Sequence, residues 1–232
     1  MICVCSVFYE SDADTVGHSI SFLEYMITLI APEAFTEIVE ELTRQPITLN
    51  RYRNIAGEGR SQTFGVVGRR CLKPDYSRQN WLRPYLFKLL CEFGHRYVDI
   101  SWNAITVNQN YRAGPHYDKN NVGESYLVAF GNFTGGELEL HKEEGLELLD
   151  IRHKPVRMDF SKVLHSVSGF EGQRFSLVFY WYDLKGAELP PCSVKEVNGK
   201  WQFFRGEEMI TKKKGLPHPL RKLKPGEYEI LA

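Results

Sequence analysis

The chain has 232 residues, which suits one compact domain with elaborations and a single active site. Hydrophobic residues make up 43% and charged residues 25%, a balance that excludes wholesale disorder and permits a sizeable buried core. The 29 Lys and Arg residues match 29 Asp and Glu, so no overall basic excess argues for nucleic acid, and such a partner would need a local patch.

The opening stretch MICVCSVFYE has no basic n-region and runs into Glu10, Asp12 and Asp14, so it does not read as a secretory signal. No run approaches the ~18 apolar residues of a membrane span, and the expectation is a soluble, intracellular protein with no membrane partner. Cys3, Cys5, Cys71, Cys91 and Cys192 are odd in number and scattered, as expected of reduced thiols. Cys3 and Cys5 lie closer together than a usual zinc-binding pair and have no second pair; they read as small apolar residues on one face of a strand.

Residues 1–95 read as a mainly helical N-terminal support region. Pro32 is pre-set for a helix start, and Phe35, Ile38, Val39 and Leu42 follow at helical spacing, which predicts an amphipathic helix over Pro32 to Leu42. A second helix is predicted from Arg78 to Phe93, with Trp81, Leu82, Tyr85, Leu86, Leu89, Leu90 and Phe93 on one side, Pro84 in its first turn and Gly94 placed to end it.

From about residue 96 to 190 the texture changes to short β-branched and aromatic runs separated by Gly, Asn and Pro, the pattern of an antiparallel barrel or jelly roll. Predicted strands are Ala104 to Asn108, Ser125 to Phe130, Glu137 to Leu140, Val156 to Phe160, Lys162 to His165 and Phe175 to Tyr182, with a turn at Thr134-Gly135-Gly136. Beyond Pro190-Pro191 the chain becomes polar and carries Lys212-Lys213-Lys214, Arg221, Lys222 and Lys224; residues 191–232 read as a basic C-terminal extension.

His116 and Asp118 stand two residues apart, where a strand or its extension directs both side chains to one face. His165 follows a strand-like run, far enough along the chain for a barrel to return it beside that pair. Two histidines and one carboxylate form a facial triad that leaves coordination positions of Fe(II) open. Downstream, Arg174-Phe-Ser176 puts a guanidinium and a hydroxyl on one side of a strand, where the guanidinium fork can grip a carboxylate.

The order His116-x-Asp118, then Gly135-Gly136-Glu137-Leu138 as a hairpin, then His165 and Arg174-x-Ser176 resembles the 2-oxoglutarate oxygenase superfamily, over roughly Trp102 to Trp181. The resemblance implies an α+β chain with a mainly β core: a double-stranded β-helix (jelly roll) supported by N-terminal helices. It implies Fe(II) on His116, Asp118 and His165, 2-oxoglutarate salt-bridged to Arg174 with Ser176 assisting, O₂ as oxidant and ascorbate as a stimulant. In AlkB-like relatives a side chain at the position of Asn108 helps orient the co-substrate; the aromatic residue that often accompanies it is here Asn110, with Tyr111 one step out of register.

The segment Gly114 to Gly131 is similar in texture to the TET/JBP branch, which implies a methylated nucleic-acid base as substrate and DNA as partner. Asn121 is the nearest match to a base-contacting asparagine, and an amide can pair with a base edge through donor and acceptor; Asn120-Asn121 is equally a turn. Arg60-Ser61-Gln62, Arg69-Arg70 and Arg78-Gln79 are candidates for phosphate contact. The alternative is a prolyl-type protein hydroxylase with an extended peptide in a groove lined by Tyr111, Tyr117 and Tyr126. A non-catalytic jelly-roll binding module is the reading from another class, and it has no need of the triad and Arg174 together.

Overall fold

The computed structural model describes residues 2–4, 29–47, 57–69, 72–211, 220–224 and 227–230. Cys5 and the rest of the opening stretch, His18, Arg70, Cys71, Lys212 to Lys214 and His218 lie outside the described residues. In chain order the elements are β1 (Ile2–Val4), a 3₁₀ turn (Pro32–Phe35), α1 (Thr36–Arg44), β2 (Gly57–Arg69), β3 (Leu72–Tyr76), α2 (Gln79–Leu82) and α3 (Pro84–Tyr97). Then follow β4 (Ala104–Ala113), β5 (Asn121–Gly135), β6 (Leu138–Lys142), β7 (Gly145–Leu149), β8 (Val156–Met158), β9 (His165–Val167) and β10 (Phe170–Tyr182). The chain continues through β11 (Cys192–Val197), β12 (Lys200–Arg205), β13 (Glu208–Ile210), β14 (Leu220–Lys224) and β15 (Glu227–Ile230).

A main sheet in the order β3-β2-β4-β10-β5-β8 and a smaller one in the order β7-β6-β9 build the double-stranded β-helix. The strand pairs of both sheets are antiparallel. Side-chain alternation divides the main sheet into two working faces. Ile105, Val107, Phe175, Leu177 and Phe179 join the core formed with α1 and α3, where Phe35 stacks on Phe130 at 4.4 Å and Phe93 on Phe179 at 5.9 Å. On the inward face Leu127, Ala129 and Phe133 of β5 meet Leu138 and Leu140 of β6 and Phe160 in a second apolar cluster. Asn108, Arg174 and Ser176 are also buried, and they share the inner side of β4 and β10.

Several elements differ from the sequence reading for identifiable reasons. The helix expected over Arg78 to Phe93 is broken at Arg83 (φ −136°, ψ 58°), because the ring of Pro84 excludes the helical conformation from the residue before it. Pro84 instead opens α3, which runs past Gly94 to Tyr97. Gly94 does not end the helix; a Cβ there would lie 2.5 Å from the Trp102 ring and 2.8 Å from that of Phe179, so it is the close approach that needs glycine. Gly57–Arg69 and Leu72–Tyr76, inside the region read as helical support, supply two strands of the main sheet.

Gly135 and Gly136 do not close a hairpin. The strands they join, β5 and β6, belong to different sheets, and the two glycines at φ +73° and +74° turn the chain from one sheet to the other. The hairpin in this region is β6 to β7. Lys162 to His165 is a turn up to its last residue, because the Asp159 carboxylate accepts from the Ser161 N–H (3.2 Å) and the Asp159 carbonyl from the Lys162 N–H (3.0 Å). In the stretch read as a polar tail, β11 to β13 form a sheet with β1, and Cys192, Val194 and Phe203 carry it onto the helical core.

Candidate metal centre and anion pocket

Past Ala113 the chain leaves β4, and a short segment carrying His116 and Asp118 docks onto residues 160–165. The His116 N–H donates to the His165 carbonyl (2.9 Å), the His165 N–H to the His116 carbonyl (3.1 Å) and the Asp118 N–H to the Phe160 carbonyl (3.0 Å). The expected strand extension is thus a loop pinned by one isolated bridge, and that bridge sets the two histidines opposite each other.

Each imidazole is then fixed by its own neighbourhood. Nδ1 of His116 lies 2.8 Å from the Gly114 carbonyl and Nδ1 of His165 lies 2.9 Å from the Val163 carbonyl. A carbonyl oxygen only accepts, so Nδ1 is the donor on both rings, the tautomer that leaves Nε2 as the ligating nitrogen of a neutral imidazole. The ring centroids are 4.2 Å apart, and Nε2 of His116 is 3.6 Å from Oδ1 of Asp118. One ligating atom from each of His116, Asp118 and His165 falls within 4.8 Å of the others. Burial pulls the His165 pKa below its ordinary value, which favours the neutral, ligating imidazole. On the other face of β9, Ser166 donates to the Glu139 carboxylate and meets Nε2 of His141 at 2.7 Å, which braces the strand carrying His165.

Two imidazoles and a carboxylate on one side of a point leave the opposite side open, the donor set and layout suited to a non-haem Fe(II). The carbonyl bonds to Nδ1 supply the outer support that metal-binding histidines need.

The triad opens into a pocket that also receives Asn108, Tyr111, Arg174 and Ser176, with apolar walls from Leu127, Leu138, Phe160 and Val178. Arg174 is 2% exposed and ranks among the largest fully buried side chains. Its Nε donates to the Gly136 carbonyl (3.1 Å), and its guanidinium carbon stands 5.5 Å from the ring centroid of Phe133 and 5.7 Å from that of Phe170. Among the described residues no carboxylate forms an ion pair with it. Burial pulls its pKa down to about 10, partly offset by Glu137, and it stays charged at neutral pH. A buried cation with no paired anion carries a desolvation cost on the order of several kcal/mol, which an entering carboxylate would relieve. Beside it Nδ2 of Asn108 donates to Oγ of Ser176 (3.1 Å) across the β4–β10 ladder.

The remaining sequence candidates stand elsewhere. Asn121 directs Nδ2 to Oγ of Ser125 (3.0 Å) and Oδ2 of Asp118 (3.4 Å), so its amide is turned to the triad carboxylate. Arg60 pairs with Gln109 rather than with the inward Asn108, and its Nη1 donates to the Ile47 carbonyl (3.0 Å) on the helical side. Tyr117 is 42% exposed, next to His116 but not among the residues lining the pocket. The structure gives two residues a place at the Asn108 and Arg174 side of the pocket that the sequence did not assign them. Tyr111, read as out of register, lines the pocket with Asn108, and Gly136 holds the Arg174 side chain. The Gly135-Gly136 pair carried the signal for the latter, but it was spent on a turn.

No protein-family model matches the sequence, and no curated protein matches it. Solved structures with a similar fold include "NgTET1 in complex with 5mC DNA", at 15% identity over 66% of this chain and 67% of that one, with a TM-score of 0.44. A 2OG-Fe(II) oxygenase family oxidoreductase from Burkholderia pseudomallei aligns at 15% identity over 63% of this chain and 76% of its own, TM-score 0.40. A Pseudomonas putida prolyl-4-hydroxylase aligns at 12% identity over 66% and 88%, TM-score 0.41. Folds host many chemistries, so function rests on the side chains of the site.

Proposed function

We propose that this chain is an Fe(II)- and 2-oxoglutarate-dependent dioxygenase that hydroxylates a C–H bond. The observation that carries the reading is a single pocket in which a His-Asp-His cluster meets a buried guanidinium with no carboxylate paired to it among the described residues. A metal site alone would have no need of that cation, and an anion site alone would have no need of three convergent ligands.

The chemistry supplied by bound Fe(II) is activation of O₂, one atom going to the substrate as hydroxyl and the other to succinate as 2-oxoglutarate loses CO₂. The chain's own residues bind and orient. Arg174 takes the carboxylate of 2-oxoglutarate remote from the metal, because its fork faces the pocket and is pre-set by Gly136. Ser176 and Asn108 offer a hydroxyl and an amide on the same inner face. Leu127, Leu138, Phe160 and Val178 exclude water around the reacting centre.

The substrate is read as a nucleic-acid base, with a protein side chain as the alternative, and the assay carries both. Labelled 2-oxoglutarate, Fe(II) and ascorbate are incubated with the protein alone, with 5-methylcytosine or thymine oligonucleotides, and with proline-containing peptides. Succinate release in the wild type and its loss in His116→Ala is the expected result. Stimulation by one panel identifies the substrate class, and no turnover with iron demonstrably bound would sink the proposal.

A further inference from the structure

The geometry points to Asn110 as a positioning residue for 2-oxoglutarate, acting through Arg174 and Tyr111; the inference rests on the function proposed above. Asn110 has a φ of +48°, a left-handed conformation that asparagine tolerates better than other residues with a Cβ, in the middle of a strand. The ladder between β2 and β4 shows why. Glu58 pairs with Arg112 and Arg60 with Gln109, so Gly59 alone faces both Asn110 and Tyr111. This two-against-one count is a β-bulge. It reverses the alternation of β4 by one residue, and Tyr111, three positions after Asn108, comes to line the same pocket.

The partner strand is built for the bulge. Gly59 lies at φ +111°, and a Cβ there would stand 1.9 Å from the Asn110 carbonyl oxygen. Gly57 leaves room for the displaced ring, since its Cβ would lie 2.7 Å from the Tyr111 hydroxyl. On its other side β4 leaves β10 at the same point: the last paired residues are Gln109 and Phe175. The next N–H of β10, that of Arg174, is received by Oδ1 of Asn110 at 2.8 Å. The Asn110 side chain therefore takes the place of a ladder acceptor where the strands part, and the residue it holds is the buried guanidinium's own.

One residue thus sets two walls of the pocket. Its backbone conformation places Tyr111, and its carboxamide fixes the main chain of Arg174. The test is equilibrium binding of 2-oxoglutarate by calorimetry to the full-length protein loaded with Mn(II), which binds the co-substrate without turnover, with Mn(II) affinity and thermal midpoint measured alongside. Asn110→Gly keeps the left-handed backbone and removes the acceptor; affinity is expected to fall about fivefold. Asn110→Val removes the acceptor and opposes the bulge, and a loss of roughly thirtyfold or more is expected. Asn110→Asp keeps both features and should stay within about threefold of wild type. Mn(II) affinity should be unchanged throughout, which separates positioning from general damage. Should the valine variant fail to fold, the glycine and aspartate pair decides. Wild-type affinity in Asn110→Gly and Asn110→Val would overturn the inference and leave the proposed function standing, whereas a wild type that binds Mn(II) but no 2-oxoglutarate would overturn both.

Discussion

The Arg174 guanidinium donates through Nε to the carbonyl of Gly136, and a Cβ on Gly136 would lie 2.8 Å from that same nitrogen. The glycine is needed twice, for its φ of +74° and for the approach of the buried side chain. Gly136→Ala is expected to push Arg174 off its line and weaken 2-oxoglutarate binding roughly tenfold or more, with metal affinity retained. Calorimetry on the metal-loaded variant measures this, and unchanged affinity would mean that Arg174 is not the co-substrate's anchor.

Arg174 itself is a cost to the empty protein. It is 2% exposed, burial lowers its pKa to about 10, and no described carboxylate pairs with it. Replacement by an apolar chain of similar length removes the desolvation penalty at the expense of one hydrogen bond to Gly136 and two ring contacts. Arg174→Met should therefore leave apo stability unchanged or raise it by about 1 kcal/mol, while 2-oxoglutarate no longer stabilises the protein. Thermal midpoints with and without 2-oxoglutarate read both effects. A variant that loses apo stability would show that the cation has a structural partner.

Gly94 gives a prediction that concerns the scaffold. A Cβ in a helix gains up to ~1 kcal/mol of helix propensity, but in the last turn of α3 it meets Trp102 at 2.5 Å and Phe179 at 2.8 Å. Overpacking of this kind costs ~1–3 kcal/mol, so Gly94→Ala should destabilise by up to about 2 kcal/mol on balance. Denaturant unfolding measures it, and a stabilised variant would mean that α3 can slide away from the sheet.

The same glycine shows what was legible in the sequence and what was not. Periodicity places α1 and α3, and runs of β-branched and aromatic residues place the inner parts of β4, β5 and β10, because an element with one apolar face repeats at its own spacing. Arg174 and Ser176 are legible as residue types on a strand pattern, since their burial depends on alternation, whereas His116 and Asp118 are legible by their spacing alone, because the structure puts them on a loop pinned by an isolated bridge. Gly94 and Gly136 are not, because a local turn signal and a demand for close approach look identical until the packed neighbour is known. The place of Tyr111 beside Asn108, read as one step out of register, is hidden for a related reason: the bulge at Asn110 inverts the alternation, and a period of two cannot reveal its own interruption. Strands β2, β3 and β11 to β13 lie in segments whose composition reads as support or tail, and the pairings that tie them to the rest of the fold, β2 with β4 and β11 with β1, join residues distant in sequence.

Asn121 separates two readings of one side chain. The sequence offers it as a contact to a substrate base; the structure turns its Nδ2 to Oγ of Ser125 at 3.0 Å and to Oδ2 of Asp118 at 3.4 Å, while its N–H donates to the Asp118 carbonyl at 3.0 Å. Under the proposed function Asp118 holds the metal, and a side chain that steadies such a carboxylate acts on metal affinity; loss of an outer partner of this kind typically costs ~10- to 100-fold. Asn121→Ala is therefore expected to weaken Mn(II) binding by about tenfold, with the substrate-panel preference of residual turnover unchanged. Metal titration and the oligonucleotide and peptide panel, run on the same preparation, check the two halves. If metal affinity holds and only the response to oligonucleotides is lost, Asn121 belongs to the substrate and must leave Asp118 when the substrate arrives.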